Sequence, residues 1–172
     1  MRRSKKATDI FLQPGELFVA QGSCTIRTLL GSCVAITLWH PQKRIGAMSH
    51  FLLASRGQSA AIALDGRYGD EAMILMLREL ARRDVKPTEC EAKLFGGGNM
   101  FPQASPAHSP TVGENNGECA QQLLRAHDIR IVSESMFGEG LRQIIFDVAR
   151  GDVWARQIKP TEVAESTIKE TS

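Results

Sequence analysis

No stretch of this 172-residue chain stays apolar for long. The longest uninterrupted runs, residues 60–64 and 72–77, are far too short to cross a bilayer. No apolar segment follows the basic residues at the start (Arg2, Arg3, Lys5, Lys6), so a secretory signal is not expected. A concentrated basic surface is missing too: the formal net charge is +2, and removing those four cations leaves −2 for the rest. Binding to nucleic acid, which needs cations clustered against phosphates, is therefore not expected. The four cysteines, Cys24, Cys33, Cys90 and Cys119, include no C-x-x-C pair. That argues against a zinc site and against a disulfide scaffold. A protein of the reducing cytoplasm, without metal, organic cofactor or membrane insertion, is the expectation.

What is present reads as one globular domain. Hydrophobic residues make up 42% and charged residues 23%, too apolar for a disordered chain. Residues 1–12 read as a basic flexible tail, 13–159 as the domain and 160–172 as a polar tail. Short β-compatible runs lie at 17–20 and 25–30. A longer pair, 33–39 and 44–53, flanks the turn-like His40-Pro41-Gln42-Lys43 and reads as a hairpin. Residues 70–84 have helical spacing, with Met73, Met76, Leu77 and Leu80 on one face. A strand at 91–95 runs into Gly96-Gly97-Gly98-Asn99, a helix is expected at 114–127, and a strand at 129–133. Residues 143–148 and 152–158 form a second hairpin around 149–151. Many strands with two helices give an α+β fold, a sandwich with sheets flanked by helices.

The first hairpin carries the chemistry. If Trp39 and Arg44 close a four-residue loop, Thr37 faces Gly46, Ala35 faces Met48 and Cys33 faces His50. The more apolar set (Leu38, Ile45, Ile36, Ala47, Val34) then makes the core face. Cys33 and His50 lie on the less buried one, with Cβ atoms ~5 Å apart. An imidazole at that distance can take the thiol proton, and the imidazolium stabilises the nucleophilic thiolate. Gly31 and Ser32 permit a sharp entry into Cys33 and supply amide groups for an oxyanion. Thr28 stands upstream as a group to orient the imidazole. The plainer interpretation is a buried free cysteine beside an interior histidine. A one-residue slip of register would send His50 to the other face.

Other candidates are weaker. The triple glycine is followed by no Lys-Ser/Thr and lacks dinucleotide spacing, so it reads as a tight loop bringing backbone close to the site. His40, His108 and His127 have no evident catalytic partner and default to surface roles, and Cys24, Cys90 and Cys119 have no evident base.

Five blocks stand in order along the chain: Thr28-Leu29-Leu30-Gly31-Ser32-Cys33-Val34-Ala35, Gly46-Ala47-Met48-Ser49-His50-Phe51, Arg67-Tyr68-Gly69-Asp70-Glu71-Ala72-Met73, Ala92-Lys93-Leu94-Phe95-Gly96-Gly97-Gly98-Asn99-Met100-Phe101 and Val112-Gly113-Glu114-Asn115-Asn116. Together they resemble the CheD family, chemoreceptor glutamine deamidases of bacterial chemotaxis. The segment Met136-Phe137-Gly138-Glu139-Gly140-Leu141-Arg142-Gln143 departs from the family pattern. The resemblance implies a fold similar to bacterial toxin deamidases and a cysteine hydrolase of side-chain amides, a protein-glutamine glutaminase. It implies Cys33 as nucleophile, His50 as general base and Thr28 as third member. The partners it implies are methyl-accepting chemotaxis receptors as substrate and, in some bacteria, a CheC-like phosphatase. The competing reading is a non-catalytic module that binds receptors or a CheC-like protein; a cysteine protease or transglutaminase would need a clearer groove.

Overall fold

Two kinds of strand build this protein, and they differ in how many faces they bury. In the computed structural model, which describes residues 6–57, 63–104 and 109–159, β3 (Cys24–Leu30) alternates strictly. Cys24, Ile26, Thr28 and Leu30 are buried while Thr25, Arg27 and Leu29 face outward. β4 (Val34–His40) and β5 (Ile45–Phe51) are buried along nearly their whole length. The first pattern belongs to a sheet with one wet face, the second to a sheet covered on both.

The architecture follows. β1 (Thr8–Phe11), β3, β8 (Leu141–Asp147) and β9 (Asp152–Ile158) form a four-stranded outer sheet in the order β1-β3-β8-β9. β2 (Leu17–Gln21), β5, β4, β6 (Glu91–Gly96) and β7 (Arg130–Met136) form a five-stranded middle sheet in that order. The helices α1 (Gly69–Ala81) and α2 (Val112–Ala126) cover the far face of the middle sheet. Val34, Ile36, Leu38 and Phe51 pack there against Met73, Met76, Leu80 and Leu124. On its other face Ala35, Met48 and Phe95 pack against Ile26, Leu30, Ile144 and Phe146 of the outer sheet. Only β1–β3 and β6–β7 pair in parallel, and α2 provides the crossover between β6 and β7. The expected α+β sandwich is therefore what forms. No helix among the described residues is long and apolar enough to cross a membrane.

Some details differ from the sequence reading. Residues 8–11, placed in the tail, form β1 and pair with Cys24 to Arg27; residues 1–5 and 160–172 lie outside the described residues. The hairpin loop is one residue further along: His40 and Ile45 close it, so Ala35, not Cys33, stands opposite His50. Arg44 makes this loop by taking a left-handed conformation (φ 51°), with its amide bonded to the His40 carbonyl at 2.9 Å. Neither face of the hairpin is the exposed one, because the outer sheet covers the side expected to be less buried. His40, assigned to the surface, is buried, with Nδ1 accepting from the Lys43 amide at 3.1 Å; His108 lies outside the described residues.

Helix α2 begins two residues earlier than its apolar spacing suggests. Thr111 Oγ1 accepts from the Glu114 amide at 3.1 Å, and Glu114 returns a carboxylate to the Thr111 amide at 2.9 Å. This reciprocal cap satisfies donors that the helix itself leaves unpaired. It also sets where the first turn of α2 meets the triple-glycine loop.

Candidate active site

The site lies in the seam between the two sheets. Alternation in β3 turns Thr28 inward and Arg27 outward, where Arg27 pairs with Asp9 at 3.1 Å. Thr28 meets His50, which β5 turns toward the same seam: Thr28 Oγ1 lies 2.7 Å from His50 Nδ1. The same hydroxyl donates to the Leu12 carbonyl at 2.9 Å. A hydroxyl has one proton, so with that proton on Leu12 it must accept from His50. The proton of the neutral imidazole is thereby fixed on Nδ1, and the lone pair on Nε2. Nε2 is buried and has no hydrogen-bond partner among the described residues. The turn after β1 completes the mounting: the His50 amide donates to the Glu16 carbonyl at 3.0 Å, and the Gly15 amide donates to the His50 carbonyl at 2.8 Å.

Burial lowers the His50 pKa to about 4, with the Glu16 carboxylate pulling in the opposite direction. At neutral pH the ring is uncharged and basic at Nε2.

Cys33 is half-buried, just ahead of β4. Two residues later Ala35 stands opposite His50. Continued one residue beyond the Val34–Phe51 pair that ends the ladder, this register makes Cys33 the diagonal neighbour of His50 instead of its direct partner, a spacing of ~7–8 Å. Because the loop shifted by a whole residue at both ends, the pairing moved by two positions and the facing was preserved. Burial raises the Cys33 pKa, partly countered by its own backbone amide. The thiolate–imidazolium pair expected from sequence is thus disfavoured at rest: burial holds both groups neutral. Burial pushes Cys90 and Cys119 to about 11 and also raises Cys24.

The backbone around the cysteine is held at three successive carbonyls. Gly31 accepts from the Gly98 amide at 3.0 Å, and Cys33 accepts from the Gly97 amide at 2.9 Å. Ser32 accepts from Asn116 Nδ2 at 3.0 Å, and the same nitrogen reaches the Leu52 carbonyl at 2.7 Å. The glycines here are sterically required. Gly96 has φ 108°, and a Cβ on it would lie 2.2 Å from the Cys33 oxygen. A Cβ on Gly113 would lie 2.5 Å from the oxygens of both Gly97 and Gly98, so only glycine lets α2 start against this loop. The triple glycine is the close-approach loop its sequence suggested. Below it Arg142 Nη1 donates to the Gly96 carbonyl at 3.1 Å, and Nη2 bonds the Phe137 carbonyl. The atypical 136–143 segment thus supports the loop from beneath.

A cleft of about 520 Å³ opens beside Ser32, lined also by Gly98, Met100, Phe101, Thr111 and Val112. A second, of about 530 Å³, lies between β2 and α1 and includes none of the residues above. Among the described residues no group of three or more His, Cys, Asp or Glu side chains is placed to hold a metal ion. Thr28, Cys33, His50, Gly31 and Ser32 are therefore gathered in one region. Asn116 and the Leu12 carbonyl were not singled out from sequence. The Val112–Asn116 block was visible as a motif, but only the fold brings it to the cysteine.

The family model described as CheD chemotactic sensory transduction matches residues 52–157. The probable chemoreceptor glutamine deamidase CheD 2 of Albidiferax ferrireducens is 58% identical over 161 residues, 93% of each chain. The probable chemoreceptor glutamine deamidase CheD of Pseudomonas syringae pv. tomato is 43% identical over 166 residues, 96% of this chain and 98% of its own. Among solved structures, YlmD from Geobacillus stearothermophilus aligns with 76% of this chain and 60% of its own, at 12% identity and a TM-score of 0.48. With matches of this identity along nearly its whole length, the chain belongs to the CheD family.

Proposed function

We propose that this protein is a chemoreceptor glutamine deamidase, hydrolysing side-chain amides of receptor glutamines with Cys33 as nucleophile and His50 as base. The names of its relatives support the substrate. The observation that carries the chemistry is the Leu12–Thr28–His50 chain, which leaves an unpartnered lone pair on Nε2. Cys33 has that base on its side of the sheet.

The reaction begins from the neutral pair. His50 Nε2 takes the thiol proton as Sγ attacks the amide carbon, and the carbonyl oxygen becomes an oxyanion. In this reading the backbone amides of the 31–33 turn supply the donors for that charge. The Nε2 proton passes to the amide nitrogen, the C–N bond breaks, and ammonia leaves a thioester. Water then gives a proton to Nε2 and adds to the thioester carbon. The C–S bond breaks, glutamate departs, and the thiol regains the proton. Throughout, Thr28 holds Nδ1–H in place. A cytoplasmic location goes with this reading, since the four cysteines are free thiols.

Intact-mass measurement on receptor cytoplasmic fragments tests it. Each glutamine converted adds ~1 Da as NH2 becomes OH, and Cys33→Ser removes the gain. A folded Cys33→Ser protein that still deamidates, or a wild type inactive on every host receptor, overturns the proposal. In the latter case a receptor-binding module, with or without a CheC-like phosphatase partner, becomes the better reading.

A further inference from the structure

We infer that Asn116 is a positioning residue for the reaction: by holding the Ser32 carbonyl it aims the Cys33 backbone amide at the oxyanion. The inference rests on the deamidase reading above.

Asn116 is 1% exposed and sits one turn into α2. Its two bonds both end on backbone carbonyls, so the side-chain orientation is dictated: only Nδ2 has protons to give. Their targets are informative. Ser32 immediately precedes the nucleophile, and Leu52 stands two residues past His50. One amide group therefore ties the chain beside both members of the pair.

Peptide planarity gives this bond a chemical consequence. The chain has no cis peptide bond among its described residues. In a trans peptide the C=O of one residue and the N–H of the next point in opposite directions. Fixing the Ser32 oxygen therefore fixes the direction of the Cys33 N–H. Among the described residues, the Ser32 and Cys33 amides donate to no backbone carbonyl, and the Cys33 amide acts on its own sulfur, beside which the attacked carbon and its oxyanion form. The flanking carbonyls, Gly31 and Cys33, are held by backbone amides. Ser32 is held by a side chain, and there alone can a substitution release the peptide. A buried asparagine bonded at both protons is satisfied, whereas its loss leaves two carbonyls unpaired.

The test uses the full chain with Asn116→Asp, which keeps the shape but replaces the donor with an acceptor, and with Asn116→Ala. Two rates are compared: deamidation of a receptor cytoplasmic fragment, and alkylation of Cys33 by iodoacetamide. The second reaction displaces iodide at a CH2 and forms no oxyanion. Expected is a fall in kcat of ~100-fold, the scale for one lost oxyanion donor, with KM and the alkylation rate each within about threefold of wild type. Asn115→Asp, at the exposed position just before, should match wild type. The inference is overturned if a folded Asn116 variant keeps its kcat. It is equally overturned if kcat and alkylation fall together, which would mean that Asn116 only holds the site in shape. Should the aspartate variant not fold, the alanine variant decides. Cys33→Ser run alongside separates the two proposals: if it still deamidates, the Cys33 reading fails first. If it is inactive while the Asn116 variants are fully active, only the role of Asn116 is lost.

Discussion

Each end of the β4–β5 hairpin buries a histidine, and the two are held in opposite ways. At the turn, His40 Nδ1 accepts the Lys43 amide, which puts the ring proton on Nε2, 3.3 Å from the Glu89 carboxylate. At the open end, His50 Nδ1 donates to Thr28, and Nε2 is left with the lone pair. Burial is similar, at 6% and 2% exposure. The partner on Nδ1 makes the difference, because it selects the tautomer and so decides whether the second nitrogen is engaged or available. A buried histidine is a fastener or a base according to that one contact.

The strongest way to break this contrast is to remove the base. His50→Gln should lower kcat by ~10³-fold, within the usual contribution of a general base, measured by ammonia release from a receptor fragment. A residual rate near wild type would place the base elsewhere. Thr28→Val keeps the shape but frees the ring to turn and to change tautomer. A loss of ~10–100-fold is expected, the scale for partners that orient a histidine, with KM little changed; kcat equal to wild type would dissolve the tautomer argument. His40→Gln should leave kcat within about threefold and cost ~1–2 kcal/mol of stability in urea denaturation, as buried hydrogen bonds are lost. A large kcat effect there would erase the distinction between the two ends.

The smallest effect is on pH dependence. As the proposed base, His50 works only when neutral, so activity should fall as pH drops through its folded value of about 4. Between pH 7 and pH 5 the rate should change by less than about twofold, whereas a base titrating at its ordinary value would lose most of its activity. The unfolded chain, with an ordinary histidine, takes up a proton first. Stability from this group is therefore complete above the ordinary value of 6.5 and lost as pH falls toward about 4.

Local signals were enough to read the elements with one dominant period. The apolar spacing of α1 and the β8–β9 pair with its short connection appear in the structure close to where their residues place them. The Cys33 and His50 pairing was legible in kind but not in register, because a non-glycine residue, Arg44, takes the left-handed turn position. Periodicity carries no trace of that. The covered second face of the hairpin was hidden for another reason: it depends on Ile26, Leu30, Ile144 and Phe146, which belong to other strands. Short, mostly exposed β1 offers no pattern of its own and is a strand only because β3 gives its backbone a partner. Asn116 shows the same limit at the site. Its carbonyl targets lie 84 and 64 residues away, and nothing near it in the chain announces them.

The seam location has a bearing on how the protein comes alive during folding. Leu12, Thr28, Cys33, His50 and Asn116 belong to separate segments, and their meeting requires both sheets to be formed and docked. Contacts between distant parts of a chain are slow to close, because loop entropy must be overcome first. The local α1 and the β8–β9 hairpin can form early, while the imidazole gains its fixed tautomer only in the final assembly. In a refolding experiment, helix signal should therefore rise before hydrolytic activity does. An incompletely folded chain would have its thiol but no aligned base, and would leave nearby glutamines alone.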